Sequence, residues 1–85
     1  MKCHVYRSSK RSSTYVYLRD RDGVDVMPAS LKAGLGRLEF VFELDLTPER
    51  KLATQDPVQV MQNLRELGFH VQFPPNEQVI EQDWS

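Results

Sequence analysis

The sequence predicts an α/β fold, a small and mostly antiparallel β-sheet of about four strands packed by helices as an α/β/α sandwich. Three observations predict it. Short segments alternate apolar and polar residues with a period of two, segments bearing helix start and stop residues lie between them, and each element has one apolar side to hide. The chain of 85 residues is 40% apolar and 27% charged. That size and composition suit one domain over residues 1–85 and exclude disorder of the whole chain.

The first two strands read as a hairpin. Cys3-His4-Val5-Tyr6 and Thr14-Tyr15-Val16-Tyr17-Leu18 are rich in aromatic and β-branched residues that fit a pleated, half-buried surface. Alternation places Tyr6, Tyr15 and Tyr17 together on one face, opposite Cys3, Val5, Val16 and Leu18. The polar stretch of residues 7–13 between the strands has no apolar side chain and reads as an exposed loop, and Asp20-Arg21-Asp22-Gly23 reads as a turn. A two-turn helix is predicted over residues 27–34, opened by Pro28 and stopped by Gly34. Leu38, Phe40, Phe42 and Leu44 then alternate with Glu39, Val41 and Glu43, which predicts a third strand central to the core.

Thr47-Pro48-Glu49-Arg50 reads as a single helical turn. The strongest helix signal follows at Asp56-Pro57-Val58-Gln59, where an aspartate cap precedes a proline at the first helical position. Val58, Met61, Leu64 and Leu67 define its expected apolar face, and Gly68 stops it. A fourth strand over residues 69–73 ends at Pro74-Pro75, because neither ring nitrogen can donate to a ladder. The tail reads as a short helix that docks Val79, Ile80 and Trp84.

Charge is divided along the chain. Residues 1–37 carry eight Lys and Arg against three Asp, a net of +5, whereas residues 38–85 carry three against nine, a net of −6. The split favours an anionic partner at the amino end unless the two halves neutralise each other on folding. No apolar run approaches the roughly 20 residues of a membrane-spanning helix, and the first residues lack a secretory h-region, so no membrane association and a cytoplasmic location are expected. Cys3 is the only cysteine and has no partner for an internal disulfide.

The densest chemistry lies at Arg7-Ser8-Ser9-Lys10-Arg11, followed by Ser12 and Ser13. Arginine grips phosphate with two parallel hydrogen bonds, lysine adds a compact charge, and hydroxyls with exposed backbone N–H groups complete an anion pocket. The same residues also read as a solvated hairpin loop whose charges aid solubility. The loop lacks the glycines and the Gly-Lys-Ser/Thr ending of a P-loop, so nucleotide hydrolysis is not implied. Tyr6, Tyr15 and Tyr17 beside these cations match the aromatic and basic mixture that stacks single-stranded nucleic acid, and equally match a hairpin face buried beneath a helix.

Other candidate centres are weaker. His4 and His70 sit on predicted strands and, with Cys3, lack the spacing of a zinc site. Asp20, Asp22 and Asp25 lack the twelve-residue loop and closing glutamate of a calcium site. Ser-His-Asp spacing is too loose a test to assign catalysis, and Cys3 reads as a small core residue. Glu39 and Glu43 are expected to face outward at a sheet edge or, in a central strand, to pair with Arg19 or Arg37.

The string Tyr6-Arg7-Ser8-Ser9-Lys10-Arg11 with Thr14-Tyr15-Val16-Tyr17-Leu18, Pro28 and Leu31 before Gly34 and Gly36, and Gly68-Phe69-His70-Val71-Gln72-Phe73-Pro74-Pro75 resembles the YcgL domain family, small proteins of Gammaproteobacteria whose molecular function is not established. The resemblance spans nearly the whole chain and implies an α/β/α sandwich. It also implies a genetic setting beside a ribonuclease that matures transfer RNA, and it brings no catalytic residues with it.

These readings converge on a non-catalytic binding or adaptor protein with no cofactor or metal. RNA or another phosphate-bearing partner is expected at Arg7, Ser8, Ser9, Lys10 and Arg11, with Tyr6 and Tyr15 assisting. The alternative is a protein-interaction module that uses the acidic C-terminal half or the tail around Trp84. A third reading, a small hydrolase or nuclease, requires a cleft where histidine meets carboxylate.

Overall fold

A computed structural model describes residues 1–21, 23–50, 52 and 55–74. In chain order the elements are β1 (Lys2–Ser8), β2 (Tyr15–Leu18), a 3-10 turn (Gly23–Val26), α1 (Ala29–Leu35), β3 (Leu38–Asp45), α2 (Pro57–Glu66) and β4 (Phe69–Gln72). The four strands form one antiparallel sheet in the order β3-β1-β2-β4, so the β1–β2 hairpin is central and β3 and β4 are its edges. The helix expected in the tail, with Val79, Ile80 and Trp84, lies outside the described residues.

Each face of the sheet is covered by one helix. On one side Cys3, Val5, Tyr17, Leu44 and Leu46 pack with Val60 and Leu64 of α2. On the other, Tyr6, Val16 and Leu18 pack with Met27 and with Leu35 of α1. The arrangement is the expected small α/β sandwich.

Register decides which residues share a face, because directly paired residues lie on the same side. Val5 pairs with Tyr17 and Arg7 with Tyr15, whereas Tyr6 pairs with Val16. Tyr15 and Tyr17 therefore lie on the α2 face and Tyr6 on the α1 face, so the three tyrosines do not form the single aromatic face that alternation suggested. Alternation within each strand was read correctly. What it lacked was the register between strands.

The third strand departs further from expectation. Val5 pairs with Phe42 and Tyr6 with Phe40, which leaves Val41 as the extra residue of a β-bulge. The bulge moves Phe40 to the α1 face, edge-on to Tyr6 at 5.6 Å, and leaves Val41 and Phe42 on the α2 face beside Tyr15 and Tyr17. As β3 is an edge strand, Phe40, Val41 and Phe42 each remain 44–45% exposed. Glu39 and Glu43 pair with Arg7 and His4 across the β1–β3 ladder instead of with Arg19 or Arg37.

In α2, Asp56 caps the helix by accepting the Val58 N–H at 3.0 Å, with Pro57 at the first helical position. Its buried stripe is Val60 and Leu64, while Val58 and Leu67 are more than half exposed. The reason is geometric. At 3.6 residues per turn a spacing of three falls behind by roughly 60° per step, so Val58 and Leu67 stand about half a turn apart, whereas Val60 and Leu64 nearly coincide.

The first helix starts later than expected, at Ala29 with Pro28 as its extended N-cap, and runs through Gly34 to Leu35, where its C-cap is Gly36 at φ 72° and ψ −155°. That conformation is open essentially only to glycine. A Cβ on Gly36 would also come within 2.7 Å of Lys10 Cγ and Ser9 Oγ, whereas one on Gly34 would meet nothing within 4 Å. Urea unfolding is therefore expected to show Gly36→Ala losing about 1–3 kcal/mol and Gly34→Ala gaining about 0.5–1 kcal/mol. Similar behaviour of the two variants would contradict the assigned cap.

Candidate functional site

The basic loop is anchored from beneath. Ser8 ends β1 with a buried side chain, and its backbone N–H donates to Thr14 O at 2.9 Å, closing the base of the loop. The Ser8 hydroxyl donates to Leu35 O at 2.6 Å and accepts the backbone N–H groups of Arg11 at 3.0 Å and Lys10 at 3.3 Å. Ser9 N–H donates to Arg37 O at 3.0 Å and Lys10 N–H to Leu35 O at 3.3 Å. Loop residues 9–11 thus lie against the turn from α1 to β3, in contact with Gly36. Ser13 takes the left-handed conformation, φ 55°, where the loop returns toward β2.

This anchoring sends the three loop cations in different directions. Arg7 leaves the α2 face and meets Glu39 at 3.2 Å, with both side chains about half exposed. Lys10 Nζ donates to Ala33 O at 3.1 Å, at the negative end of the α1 dipole. The Arg11 guanidinium lies 5.3 Å from the centre of the Phe73 ring, beyond the end of β4. Ser8 is buried and its hydroxyl fully engaged, while Ser9 is exposed. Tyr6 is buried on the α1 face, and Tyr15 is half-buried against the α2-side core.

Folding adds cations that the loop motif did not include. Arg37 follows Gly36 directly, is exposed, and among the described residues makes no ion pair. Lys32 meets the exposed Asp25 at 3.2 Å, and Arg21 lies over the Phe40 ring at 5.0 Å. Lys32, Gly36 and Arg37 border a pocket of about 340 Å³ on the α1 face, whose apolar wall is Tyr6, Leu18, Val24, Met27 and Leu38. In the sequence the only trace of this site is the glycine at 36 beside a cation. The fold is needed to bring Lys10, Lys32 and Arg37 to one end of α1.

Burial shifts the titration of Cys3, Tyr17 and His70. Cys3 is fully buried, and burial foremost, with Asp45 adding and the N-terminal ammonium and Arg50 opposing, pushes its thiol up to about 11. Tyr17 is likewise raised by burial and then by Cys3, and its hydroxyl donates to Gln72 Oε1 at 2.7 Å. His70 lies on the α2 face, paired with Tyr17, whereas His4 pairs with Leu18 on the α1 side and meets Glu43 at 3.4 Å. The two histidines therefore lie on opposite faces of the sheet. Among the described residues no group of three or more His, Cys, Asp and Glu is placed to hold a metal ion, and no helix is long and apolar enough to cross a membrane.

Together these features define a small antiparallel-sheet sandwich in which a clamped basic loop packs against the turn that ends the first helix, and that turn borders a pocket. The YcgL domain family model matches residues 3–75. Relatives include YcgL domain-containing proteins of Thioalkalivibrio sulfidiphilus, 47% identical over 92% of this chain and 96% of that protein, and of Pseudomonas fluorescens, 43% identical over 89% of this chain and 78% of that protein. A third, from Pseudomonas aeruginosa, is 41% identical over the same shares. The chain belongs to the YcgL domain family.

His70, on the opposite face of the sheet from the pocket, gives the fold a pH signature. Asn63 Nδ2 donates to its Nδ1 at 2.9 Å and its Nε2 donates to Gln55 Oε1 at 2.7 Å, the pattern of a neutral imidazole. Burial lowers its pKa from 6.5, so below that pH the unfolded chain binds the proton that the folded chain refuses. Stability is therefore complete above about 6.5 and falls as the pH drops toward the lowered folded value. Urea unfolding at successive pH values should show this decline in the native protein and a shallower one in His70→Gln. Equal slopes would refute the neutral buried assignment.

Proposed function

We propose that the domain binds without catalysis and that its partner is phosphate-bearing, single-stranded RNA foremost, held where the β1–β2 loop meets the α1–β3 turn. The observation that carries this reading is Arg37, an exposed guanidinium with no carboxylate partner among the described residues, beside a loop whose exposed Lys10 donates to a helix carbonyl. Two solvent-facing cations on adjoining segments suit a charged backbone better than a single buried anion. Arg7 leaves the other face of the sheet and is engaged by Glu39, so it stands apart from these two. Phe40, exposed beneath Arg21, offers a ring for a base to stack on. The cytoplasm, where RNA is abundant and a lone thiol such as Cys3 stays reduced, is the setting this reading requires.

A protein partner is the second reading, favoured by the exposure of Phe40, Val41 and Phe42 along an edge strand. The part assigned in this alternative to Trp84 lies outside the described residues.

Fluorescence anisotropy with a short labelled single-stranded RNA, measured across a salt series, tests the first reading. The native protein should bind with steep salt dependence, and the logarithmic slope should fall by about 0.7 for each of Lys10→Gln and Arg37→Gln, while Arg65→Gln on α2 leaves it unchanged. No binding at low salt, or equal loss with Arg65→Gln, would overturn the reading.

A further inference from the structure

We infer that the pocket on the α1 face is a small-molecule site for an aromatic carboxylate. The inference goes beyond the RNA reading and shares only Arg37 with it. Three observations carry it. The pocket, at about 340 Å³, lies near the lower end of the range of ligand cavities, roughly 300–1,000 Å³, and so suits one compact ring system. Its wall is apolar and includes Tyr6 and Met27, residue types that favour contact with an aromatic face or edge. Its polar border is cationic, Lys32 and Arg37, and the two differ in availability.

Lys32 is held by Asp25 at 3.2 Å, a pair that is locally neutral. Arg37 has no such partner among the described residues, so one uncompensated positive charge borders the pocket. A single guanidinium complements a monoanion, and its planar fork matches the two oxygens of a carboxylate. A phosphate monoester carries more charge than Arg37 alone neutralises and would have to draw Lys32 away from Asp25. A neutral ring would fill the wall and leave Arg37 unused. The chemistry that satisfies both parts of the pocket is therefore a ring bearing one carboxylate.

Gly36 shapes the border. It lines the pocket in a conformation that only glycine adopts readily, and the turn it makes places Arg37 at the mouth while Leu38 begins the wall. One turn thus supplies both the charge and part of the apolar surface.

Two-dimensional amide NMR of the intact protein titrated with indole-3-acetate tests the inference, with 3-methylindole and acetate as the ring-only and charge-only probes. Indole-3-acetate should produce saturable shifts at Lys32, Gly36, Arg37 and Leu38 and leave the α2 amides in place. Affinity should fall roughly tenfold or more in Arg37→Gln, to the level shown by 3-methylindole with the native protein, and acetate should give no saturable shift. Val24→Phe, which fills the pocket, should abolish binding while unchanged α2 amides report that the fold is kept. Absence of saturable shifts in the native protein, shifts confined to the α2 face, or affinity indifferent to Arg37→Gln would each overturn the assignment. None of these outcomes depends on whether RNA binds.

Discussion

The hydroxyl of Ser8 is the point from which the candidate site is built. It is buried at the end of a central strand, donates to the last carbonyl of α1, and accepts two consecutive loop N–H groups. One side chain thereby bonds three backbone groups from two segments far apart in the chain; Lys10 N–H and Leu35 O also bond each other, so the Arg11 N–H depends on it most. A buried backbone group left unpaired costs about 1–3 kcal/mol, so this hydroxyl has more leverage than its size suggests. The clamp presses the loop onto the turn at Gly36, and the close approach is what requires a glycine there. The loop, the helix end and the pocket border are one structural unit.

That unit was only partly legible in the sequence. The concentration of Arg7, Lys10 and Arg11 marked the loop, but composition treats a serine between cations as another ligand group, whereas Ser8 turns inward. The strand alternation that places Ser8 on the face of Tyr6 is visible in the sequence. Its partner at Leu35, 27 positions away, is not. The stop of α1 was read at Gly34 because the first glycine after an apolar helix is a reasonable stop, yet a helix tolerates a glycine near its end and terminates where a neighbour presses against its turn.

The order and type of the described elements were readable because each depends on local chemistry: a proline after an aspartate cap in α2, β-branched alternation in the hairpin, a proline that ends β4. What depends on distant partners was not. Edge or centre for β3 is set by which strand β1 chooses on its other side, and the bulge at Val41 overrides an alternation that is perfect in the sequence. The apolar stripe of α2 illustrates a different failure, since a spacing of three looks helical over one step and drifts off the face over three. Charge behaved in both ways that the split allowed. Arg7 meets a carboxylate of β3, which neutralises part of the amino half, whereas Arg37 makes no ion pair among the described residues.

The clamp is tested most directly by amide hydrogen exchange and backbone relaxation in Ser8→Ala. If Ser8 organises the site, Lys10 and Arg11 should lose protection and gain fast motion together with the α1–β3 turn at Gly36, while the amides of β1, β2 and α2 keep their native protection. An unchanged loop, or loss spread evenly over the whole sheet, would contradict the account and reduce Ser8 to one core residue among many.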